Sequence, residues 1–404
     1  MTSNAPILLA FSGGLDTSFC IPWLSETYGR PVITVTVDTG GLDDNARQAL
    51  EERAMKLGAQ RHVMVDARER FFEEVLRFLI FGNIRRGGLY PLCVGAERVL
   101  QAQTMARIAG DLGSGTVAHG CTAAGNDQVR FEVALRTLNP DLEVLAPVRD
   151  NAWRRDQQLA YLEERGLSVP AGGGAYSINR GLWGVTIGGR ETLDSRETIP
   201  ESAWVLTRDA FESPLPGQRH TLSFERGIPV AVDDQQMAPV ALIEEIERRA
   251  AGFGIGRGIH LGDTVLGTKG RVAFEAPAAD VILTAHRELE KLTLSGTQLR
   301  VKDPLAALYG DMLHEGQHLD PACRDIEALL ASSQDRVTGH VHLMFRPGHV
   351  FVEGTESPHS LLAATRGTYG EAAGEWTAAD ALGFSRMRSL PGMLYTRAGG
   401  SEGS

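Results

Sequence analysis

The fold class is decided near the amino end by the stretch Ile7-Leu8-Leu9-Ala10-Phe11-Ser12-Gly13-Gly14-Leu15-Asp16-Thr17-Ser18. Residues 7–10 form a short apolar run bounded by a glycine turn, which predicts a buried strand. A helix is predicted from about Asp16 to Leu24, before the breakers Gly29 and Pro31. A strand that passes through a glycine turn into a helix is typical of α/β proteins.

The same alternation continues along the chain. Residues 32–37 are rich in β-branched side chains and predict a second strand. A helix is predicted over residues 46–57, with capping side chains at residues 43–45 and a stop at Gly58. Further strands are predicted at residues 62–65 and 116–119. Helices between successive strands imply a mainly parallel sheet, whose ligands lie at the carboxyl ends of the strands.

The glycine turn after the first strand has the composition of a phosphate-binding loop. Gly13 and Gly14 permit a tight turn and let backbone N–H groups approach phosphate oxygens. The following helix adds the positive end of its dipole. Its hydroxyl donors are Ser12, Thr17 and Ser18. Asp16 would repel phosphates unless Mg²⁺ lies between them, so the turn predicts metal-bound pyrophosphate; an ordinary Gly-Gly turn capped by Ser and Thr is the alternative.

A second polar segment runs over residues 118–132 and combines a glycine-flanked loop with the start of a helix. Asp127 is suited to holding a substrate ammonium, and Asn126 can donate and accept together. Arg130 lies one helical turn from Asp127 and is suited to a bidentate grip on a carboxylate. The alternative is a capped helix with an ordinary surface ion pair.

These two segments carry a resemblance to a known family. Residues 11–18 resemble the ATP-pyrophosphatase loop, and residues 119–132 resemble the amino-acid-binding loop of argininosuccinate synthases. Shorter matches follow in the family's order over about residues 7 to 360. They are Gly40-Gly41, Tyr90-Pro91-Leu92, Tyr176-Ser177-Ile178, Gly227-Ile228-Pro229-Val230, Gly254-Ile255-Gly256-Arg257, Gly267-Thr268-Lys269-Gly270-Arg271 and Arg336-Val337-Thr338-Gly339. Colinear matches over both halves are more specific than either loop alone.

The resemblance implies a reaction of arginine biosynthesis. Citrulline would attack the α-phosphate of MgATP, pyrophosphate would leave, and the aspartate amine would then displace AMP to give argininosuccinate. The implied catalytic residues are Asp16, Asp127 and Arg130. The implied ATP site comprises Ala10, Phe11, Ser12, Gly13, Gly14, Leu15, Asp16, Thr17, Ser18, Val37 and Gly120. Aspartate would be held by Thr122, Asn126 and Asp127. The positions facing citrulline would be Tyr90, Gly95, Asn126, Arg130, Ser177, Thr186, Gly262 and Phe274.

Several of these positions depart from the family's pattern. The departures are Gly95 and Thr186 for serines, Gly262 for a glutamate, Phe274 for a tyrosine and Ala124 for a lysine. A free α-ammonium loses its partner when the carboxylate at position 262 is absent, and we expect Asp263 to replace it. Lys269 and Arg271 are expected to compensate for Ala124. Citrulline is therefore the expected acceptor, and an N-acylated citrulline or another ureido compound is the alternative.

The breaker cluster Pro170-Ala171-Gly172-Gly173-Gly174 predicts a domain boundary. We expect an ATP-pyrophosphatase domain with a parallel sheet over residues 1–170 and an α+β synthetase domain over residues 171–360. Within the second domain, a helix is predicted at residues 240–251 and a strand at residues 281–284. Residues 361–404 are rich in Gly, Ala and Ser and predict an extended or partly mobile tail, which the resemblance would place against a neighbour in a homotetramer.

The composition of the chain limits the classes of partner that we expect it to bind. The 404 residues carry a formal net charge of −11, which disfavours binding to nucleic-acid backbones. No apolar stretch approaches the ~18 residues needed to cross a bilayer, and the first residues lack the features of a signal peptide. The four cysteines are widely spaced, as expected of reduced thiols in a cytoplasm. The pair Arg85-Arg86 is expected to be solvated.

Other functional classes fit the sequence less well. tRNA-modifying enzymes share a similar pyrophosphatase loop, but they commonly carry paired cysteines and basic surfaces. A dinucleotide site is disfavoured because no G-x-G-x-x-G pattern is complete. The segment His314-Glu315-Gly316-Gln317-His318 matches the zinc-protease pattern, although Gly316 and Pro321 interrupt the helix that such a site requires. A paralogue that binds nucleotide without turning it over is a further alternative.

Overall fold

Two compact units make up the computed structural model, one reaching Ser357 and the other beginning at Pro358. The structure describes residues 5–167, 176–366, 369 and 374–399. The breaker cluster at residues 170–174 lies outside these ranges, so the predicted boundary near residue 170 stays a prediction.

A five-stranded parallel sheet forms the first part of the larger unit. Its strands are β1 (Ile7–Ala10), β2 (Val32–Asp38), β3 (Arg61–Asp66), β4 (Thr116–Ala118) and β5 (Glu143–Leu145). They lie in the order β3-β2-β1-β4-β5. The chain therefore reverses its direction of winding between β1 and β4, and a crevice opens there at the carboxyl ends of the strands. The predicted parallel sheet is confirmed.

Helices cover both faces of this sheet. They are α1 (Leu15–Tyr28), α2 (Asp44–Lys56), α5 (Arg98–Asp111), α6 (Asp127–Leu138), α7 (Pro147–Asp150) and α8 (Arg155–Glu163). The chain after β3 also forms α3 (Arg68–Phe71), a π-helical turn over Phe72–Leu76 and α4 (Arg77–Gly82), which pack into a separate core with later parts of the unit. Successive residues of a strand point to opposite faces. Ile7 and Leu9 accordingly share a core with Phe19 of α1. Leu8 packs instead with residues of α5 and α6.

Two antiparallel sheets follow in the same unit. One contains β6 (Ser177–Gly181), β7 (Gly184–Gly188), β11 (Arg257–Asp263) and β12 (Lys269–Glu275), in the order β11-β12-β7-β6. The other contains β8 (Gln218–Glu225), β9 (Ile228–Val232), β10 (Gln235–Gln236), β13 (Gly339–Arg346) and β14 (His349–Glu356), in the order β10-β9-β8-β13-β14. Short 3₁₀ turns lie at Arg190–Leu193 and Glu201–Ala203.

Four long helices complete the larger unit: α9 (Pro239–Ala251), α10 (Pro277–Thr293), α11 (Gly296–His314) and α12 (Pro321–Ser333). The strand predicted at residues 281–284 is wrong, because these residues belong to α10. Val281, Ala285 and Leu289 are all buried in the core, and their spacing is helical. A four-residue apolar run is too short to distinguish a buried strand from one side of a buried helix.

The smaller unit contains α13 (Leu361–Ala364) and α14 (Ala378–Ala398). The extended tail predicted from composition is therefore wrong over 21 residues. Thr377 and Asp380 form a capping box in which the Asp380 N–H donates to Oγ1 of Thr377 and the Thr377 N–H donates to the Asp380 carboxylate. Within the described ranges, every helix is too short or too polar to span a bilayer.

Candidate active site

A cleft of about 450 Å³ opens where β1 and β4 end. Ala10, Phe11, Ser12, Gly14, Asp16, Thr17, Val37, Gly120 and Asp127 line this cleft. The sequence placed all nine of these residues in a nucleotide or amino-acid site. The cleft lies at the point where the winding of the sheet reverses, which is where open α/β sheets bind ligands.

The turn after β1 leaves the first amides of α1 available. Gly14 is the N-cap residue of α1, and no side chain caps the helix. The first N–H groups of a helix have no partner within it, so they offer donors and a positive dipole end to an anion. The Ser12 and Thr17 hydroxyl oxygens lie 3.2 Å apart and brace the turn. The turn therefore offers uncapped amide donors at the place where the sequence predicts phosphate binding.

Glycine is required at Gly13 by the backbone. Its φ is +74°, in the region that L-residues rarely adopt. The Gly13 carbonyl also accepts a hydrogen bond of 2.6 Å from Nη1 of Arg53. Leu15 packs against the core under this sheet face, and Ser18 is buried with no hydrogen bond from its Oγ within the described residues. Gly13, Leu15 and Ser18 therefore support the conformation of the turn but do not line the cleft.

Gly120, in the loop after β4, lies against the turn that joins β1 to α1, which we call the phosphate turn. A β-carbon at this position would lie 2.9 Å from Cγ2 of Thr17 and 3.1 Å from the Thr17 backbone nitrogen. The contact with the Thr17 nitrogen is tighter than nine in ten of the contacts that real β-carbons make, so a side chain at position 120 would push the two segments apart. The loop after β4 therefore needs a glycine where it meets the first turn of α1.

Asp16 differs from the other carboxylates of the cleft. Asp38, Glu97 and Asp127 are each paired with an arginine. Asp16 has no arginine partner among the described residues and accepts a 2.8 Å hydrogen bond from Nε2 of Gln158. Among these residues no group of three metal-ligating side chains occurs. A single free carboxylate fits Mg²⁺ that is held mainly by phosphate oxygens and water.

Asp127 is held between two arginines at the start of α6. Its Oδ2 accepts from Nε of Arg98 at 2.9 Å, and its Oδ1 accepts from Nη1 of Arg130 at 2.7 Å. Burial raises the pKa of this carboxyl, but the two guanidinium groups outweigh it and lower the pKa to about 2. Asp127 is therefore ionised at neutral pH and is a very weak base.

Arg130 is buried, and all three of its nitrogens are engaged. Besides Asp127, its Nε donates to the carbonyl of His314 at 2.8 Å, and its Nη2 donates to Nδ1 of the same residue at 3.1 Å. Gly95 lies against it, since a β-carbon there would be 2.8 Å from Nη1 of Arg130. The structure thus places Gly95 and Arg130 together, as the sequence predicted, but directs Arg130 into an internal network.

Aromatic and small residues from distant segments meet beside this network. Tyr90 stacks on His260 with ring centroids 5.4 Å apart and meets the edge of Phe274 at 5.2 Å. Thr186 pairs with Phe274 across β7 and β12. Asn126 accepts the backbone N–H of Val265 at 3.0 Å, so the β11–β12 turn contacts the loop before α6.

Two predicted positions have a more open environment. Thr122 and Ser177 are both exposed. Ser177 begins β6, and the next three residues of that strand line the cleft at the end of β1 and β4. The strand therefore borders the same opening as the phosphate turn.

The three side chains expected to compensate for the missing charges are engaged with other groups of the protein. Asp263 is exposed and ion-paired with Lys269, so neither group is available to a ligand without breaking that pair. Arg271 donates to the carbonyls of Glu191 and Asp194. A β-carbon at Gly262 would lie 2.5 Å from Nε2 of His260, which shows that the imidazole occupies the space beside this glycine.

The zinc-protease pattern has no helix to support it. Helix α11 ends at His314, and Gly316 adopts a φ of +81°. His314 bonds to Arg130, whereas Nε2 of His318 lies 3.1 Å from the Glu327 carboxylate. The two imidazoles therefore serve separate contacts.

Several residues of the site are not predictable from the sequence. Arg98 and Gln158 contact Asp127 and Asp16 across 29 and 142 positions of the chain. Arg85 and Arg86 were expected to be solvated, but Arg85 pairs with Asp280 and Arg86 pairs with Asp311. Nothing in a single local motif signals such long-range pairs.

Comparison with known proteins covers both halves of the chain. A family model described as the arginosuccinate synthase N-terminal HUP domain matches residues 6–168. A second model, described as the arginosuccinate synthase C-terminal domain, matches residues 176–395.

Whole proteins with the same name are also similar. Argininosuccinate synthase of Xanthomonas campestris pv. campestris is 41% identical over 401 residues, which cover 98% of this chain and 99% of the relative. Argininosuccinate synthase of Dehalococcoides mccartyi is 38% identical over 97% of this chain and 96% of the relative. The protein of that name from Methanocaldococcus jannaschii is 35% identical over 96% of this chain and 97% of the relative.

Proposed function

The chain belongs to the argininosuccinate synthase family, and from this premise we propose that it joins citrulline to aspartate with cleavage of ATP. The products are argininosuccinate, AMP and pyrophosphate. This is a C–N ligation within arginine biosynthesis.

One observation carries the proposal for this chain: the phosphate turn, Gly120 and Asp127 meet in a single cleft where the parallel sheet reverses its winding. The turn and the first amides of α1 suit a polyphosphate. Asp127, on the other side of the cleft, suits a cationic group. A nucleotide and an amino acid can therefore occupy the cleft together.

The chemistry consists of two displacements. The ureido oxygen of citrulline attacks the α-phosphorus of ATP, the bond from that phosphorus to the bridging oxygen breaks, and pyrophosphate leaves. The aspartate amine then attacks the ureido carbon, the bond from that carbon to the AMP oxygen breaks, and the nitrogen releases a proton. Such transfers depend on positioning and charge stabilisation more than on covalent bonds to the enzyme.

The charge and position of each residue indicate its role in these two displacements. ATP is held by Ala10 to Ser18, the backbone of Val37 and Gly120. Asp16 is the carboxylate suited to bind Mg²⁺, because it has no arginine partner among the described residues. Mg²⁺ bound with the nucleotide would offset the charge of the phosphates. Because its pKa is about 2, Asp127 holds the aspartate ammonium as an ion and does not act as the base that removes its proton. Thr122 and Asn126 complete this subsite.

The proposal extends to assembly and compartment. Helix α14 has no buried residue, and its exposed side chains include Phe384, Met387 and Leu394. These three recur at helical spacing and form an apolar stripe suited to a second copy of the chain. We therefore propose a homotetramer that α14 helps to hold together. All four cysteines are free, which suits the cytoplasm.

The test is replacement of Asp16 by Asn. AMP and pyrophosphate release should fall by at least about a hundredfold with citrulline, aspartate and Mg²⁺ present, because the cleft loses a carboxylate that has no arginine partner among the described residues. Asp156→Asn is the matched control, since Asp156 also lies in the first turn of a helix but pairs with Arg154 at the surface. Formation of ADP instead of AMP, or full activity of Asp16→Asn, would refute the proposal.

A further inference from the structure

Helix α2 packs against the phosphate turn and brings Arg53 into contact with it. A β-carbon at Gly13 would clash with Cδ2 of Leu50 and would lie 3.5 Å from Nη1 of Arg53, so α2 fits closely against this glycine. Nη1 of Arg53 donates a hydrogen bond of 2.6 Å to the Gly13 carbonyl oxygen. Leu50 lines the cleft, whereas Arg53 and Gly13 do not. Arg53 therefore contacts the turn from outside the cleft.

Arg53 has no carboxylate partner among the described residues. By contrast, Arg98 and Arg180, which line the cleft, are each paired with a carboxylate. Within the described part of the chain, the contact with Gly13 is the one hydrogen bond that the Arg53 side chain makes. The charge of this guanidinium is therefore directed at the backbone of the phosphate turn and is not neutralised by an acidic side chain.

The peptide unit between Gly13 and Gly14 carries this contact. In a trans peptide, the C=O group and the N–H group that follows it point in opposite directions. The Gly13 C=O points to Arg53, so the Gly14 N–H points to the other side of the turn. There its nitrogen lies 3.4 Å from Oγ of Ser12, which is longer than the usual N–H···O bond, and both Ser12 and Gly14 line the cleft. The Gly14 N–H is therefore a donor available to a ligand oxygen.

Two consecutive glycines make this peptide unit easy to rotate. Gly13 has a φ of +74° and Gly14 has a φ of −72°. Rotation of the peptide plane changes ψ of the first residue and φ of the second, and glycine accepts either sign of φ at little cost. Without the contact to Arg53, the plane can turn over and present the Gly13 carbonyl oxygen to the cleft. An oxygen in that position would repel phosphate oxygens.

We infer that Arg53 is a positioning residue for the polyphosphate of ATP, because it holds the Gly13 carbonyl outside the cleft and so keeps the Gly14 N–H directed into it. This inference rests on the proposed function, since it requires ATP to bind at the phosphate turn. A hydrogen bond from a cation to the carbonyl also polarises the peptide unit and strengthens its N–H as a donor. The role concerns the nucleotide alone, so binding of citrulline and aspartate should not depend on Arg53.

The experiment measures the binding of MgATP and of adenosine to the full chain by calorimetric titration. Adenosine has the base and the ribose but no phosphate, so it reports on the rest of the cleft. Arg53→Met should weaken the binding of MgATP by about tenfold or more and should change that of adenosine by less than about twofold. Methionine is unbranched and forms helices about as well as arginine does, so α2 should be retained. Arg53→Lys keeps a cationic donor and should restore most of the affinity for MgATP.

Lys56→Met is the matched control, because Lys56 also lies in the last turn of α2 but is exposed. This variant removes a positive charge from the same helix end and should leave both affinities unchanged. In steady-state assays of AMP release, Arg53→Met should raise KM for ATP and keep KM for citrulline and for aspartate within about twofold of the parent values. A general loss of structure would instead affect all three substrates.

Four results would each overturn the inference and leave the ligase assignment intact. They are unchanged binding of MgATP to Arg53→Met, equal losses for MgATP and adenosine, a loss in Lys56→Met as large as that in Arg53→Met, and an Arg53→Lys variant as weak as Arg53→Met. If the parent protein releases no AMP with citrulline and aspartate, the proposed function fails, and the titration with MgATP still decides the role of Arg53.

Discussion

Replacement of Gly120 by alanine tests how closely the loop after β4 must approach the phosphate turn. The new methyl group would lie 2.9 Å from Cγ2 of Thr17, 3.1 Å from its nitrogen and 3.2 Å from the Asp16 carbonyl carbon. Carbon contacts are most favourable near 3.5–4.0 Å, so the two segments must separate by about 0.5 Å. The Thr17 side chain can rotate, but the two backbone atoms cannot move without the helix.

We expect this displacement to reduce activity more than stability. A shift of about 1 Å in a reacting group can cost about a hundredfold in rate, so half that shift predicts a loss in kcat/KM of about tenfold. Overpacking of this size costs about 1–3 kcal/mol of unfolding free energy. The assay is AMP release with citrulline and aspartate, and thermal unfolding measures the stability of each variant.

Gly115→Ala is the matched control, because Gly115 precedes β4 as Gly120 follows it. A β-carbon at Gly115 has no neighbour within 4 Å. This variant should keep kcat/KM within about twofold of the parent, as expected for a surface substitution away from special features. The reasoning is refuted if Gly120→Ala is as active as Gly115→Ala, or if both lose activity equally.

Two further predictions concern acid stability and assembly. Burial lowers the pKa of His119 from 6.5 to about 4, and its Nδ1 accepts from the Cys121 N–H, so unfolding below pH 6.5 takes up a proton. The protein should therefore lose on the order of 3 kcal/mol of unfolding free energy between pH 7 and pH 4 from this group. In chemical denaturation, the unfolding free energy of His119→Asn should fall less steeply with pH than that of the parent, and the exposed His349→Asn is the control. Phe384→Asp combined with Leu394→Asp should lower the mass measured by light scattering, because a charge on the α14 stripe opposes burial against another copy; Ser389→Asp is the control, and an unchanged mass in the double variant would exclude this stripe from the interface.

The first sheet could be predicted because its signals are local. Residues 7–10 and 32–37 are uninterrupted apolar or β-branched runs between turns, and β1 and β2 begin at the predicted residues. The second strand was predicted to end at residue 37 because Asp38 is polar. The observed strand includes Asp38, whose carboxylate is buried against Arg47. Prediction failed where a short pattern fits two structures, as at residues 281–284, and where composition hid a capped helix, as in α14.

The site was predictable in its nucleotide half and much less so beside Arg130. The phosphate turn carries its own chemistry within eight residues, so a single motif identifies it. Arg130 contacts Asp127 and His314, and no spacing in the sequence relates Arg130 to His314. Asp263 was a reasonable substitute for a missing carboxylate, but its pairing with Lys269 depends on the register of β11 and β12, which pairs these two residues directly.

The division of the binding surface between two sheets has a consequence for how such an enzyme can change. The nucleotide cleft is built mainly on the parallel sheet, whereas the walls around Gly262 and Phe274 belong to β11 and β12. Mutations in the antiparallel hairpin can alter acceptor choice while the adenylating loop keeps its sequence. If Gly262 and Phe274 face the acceptor as proposed, changes at these two positions would alter the choice of acceptor without changing the loop that binds ATP.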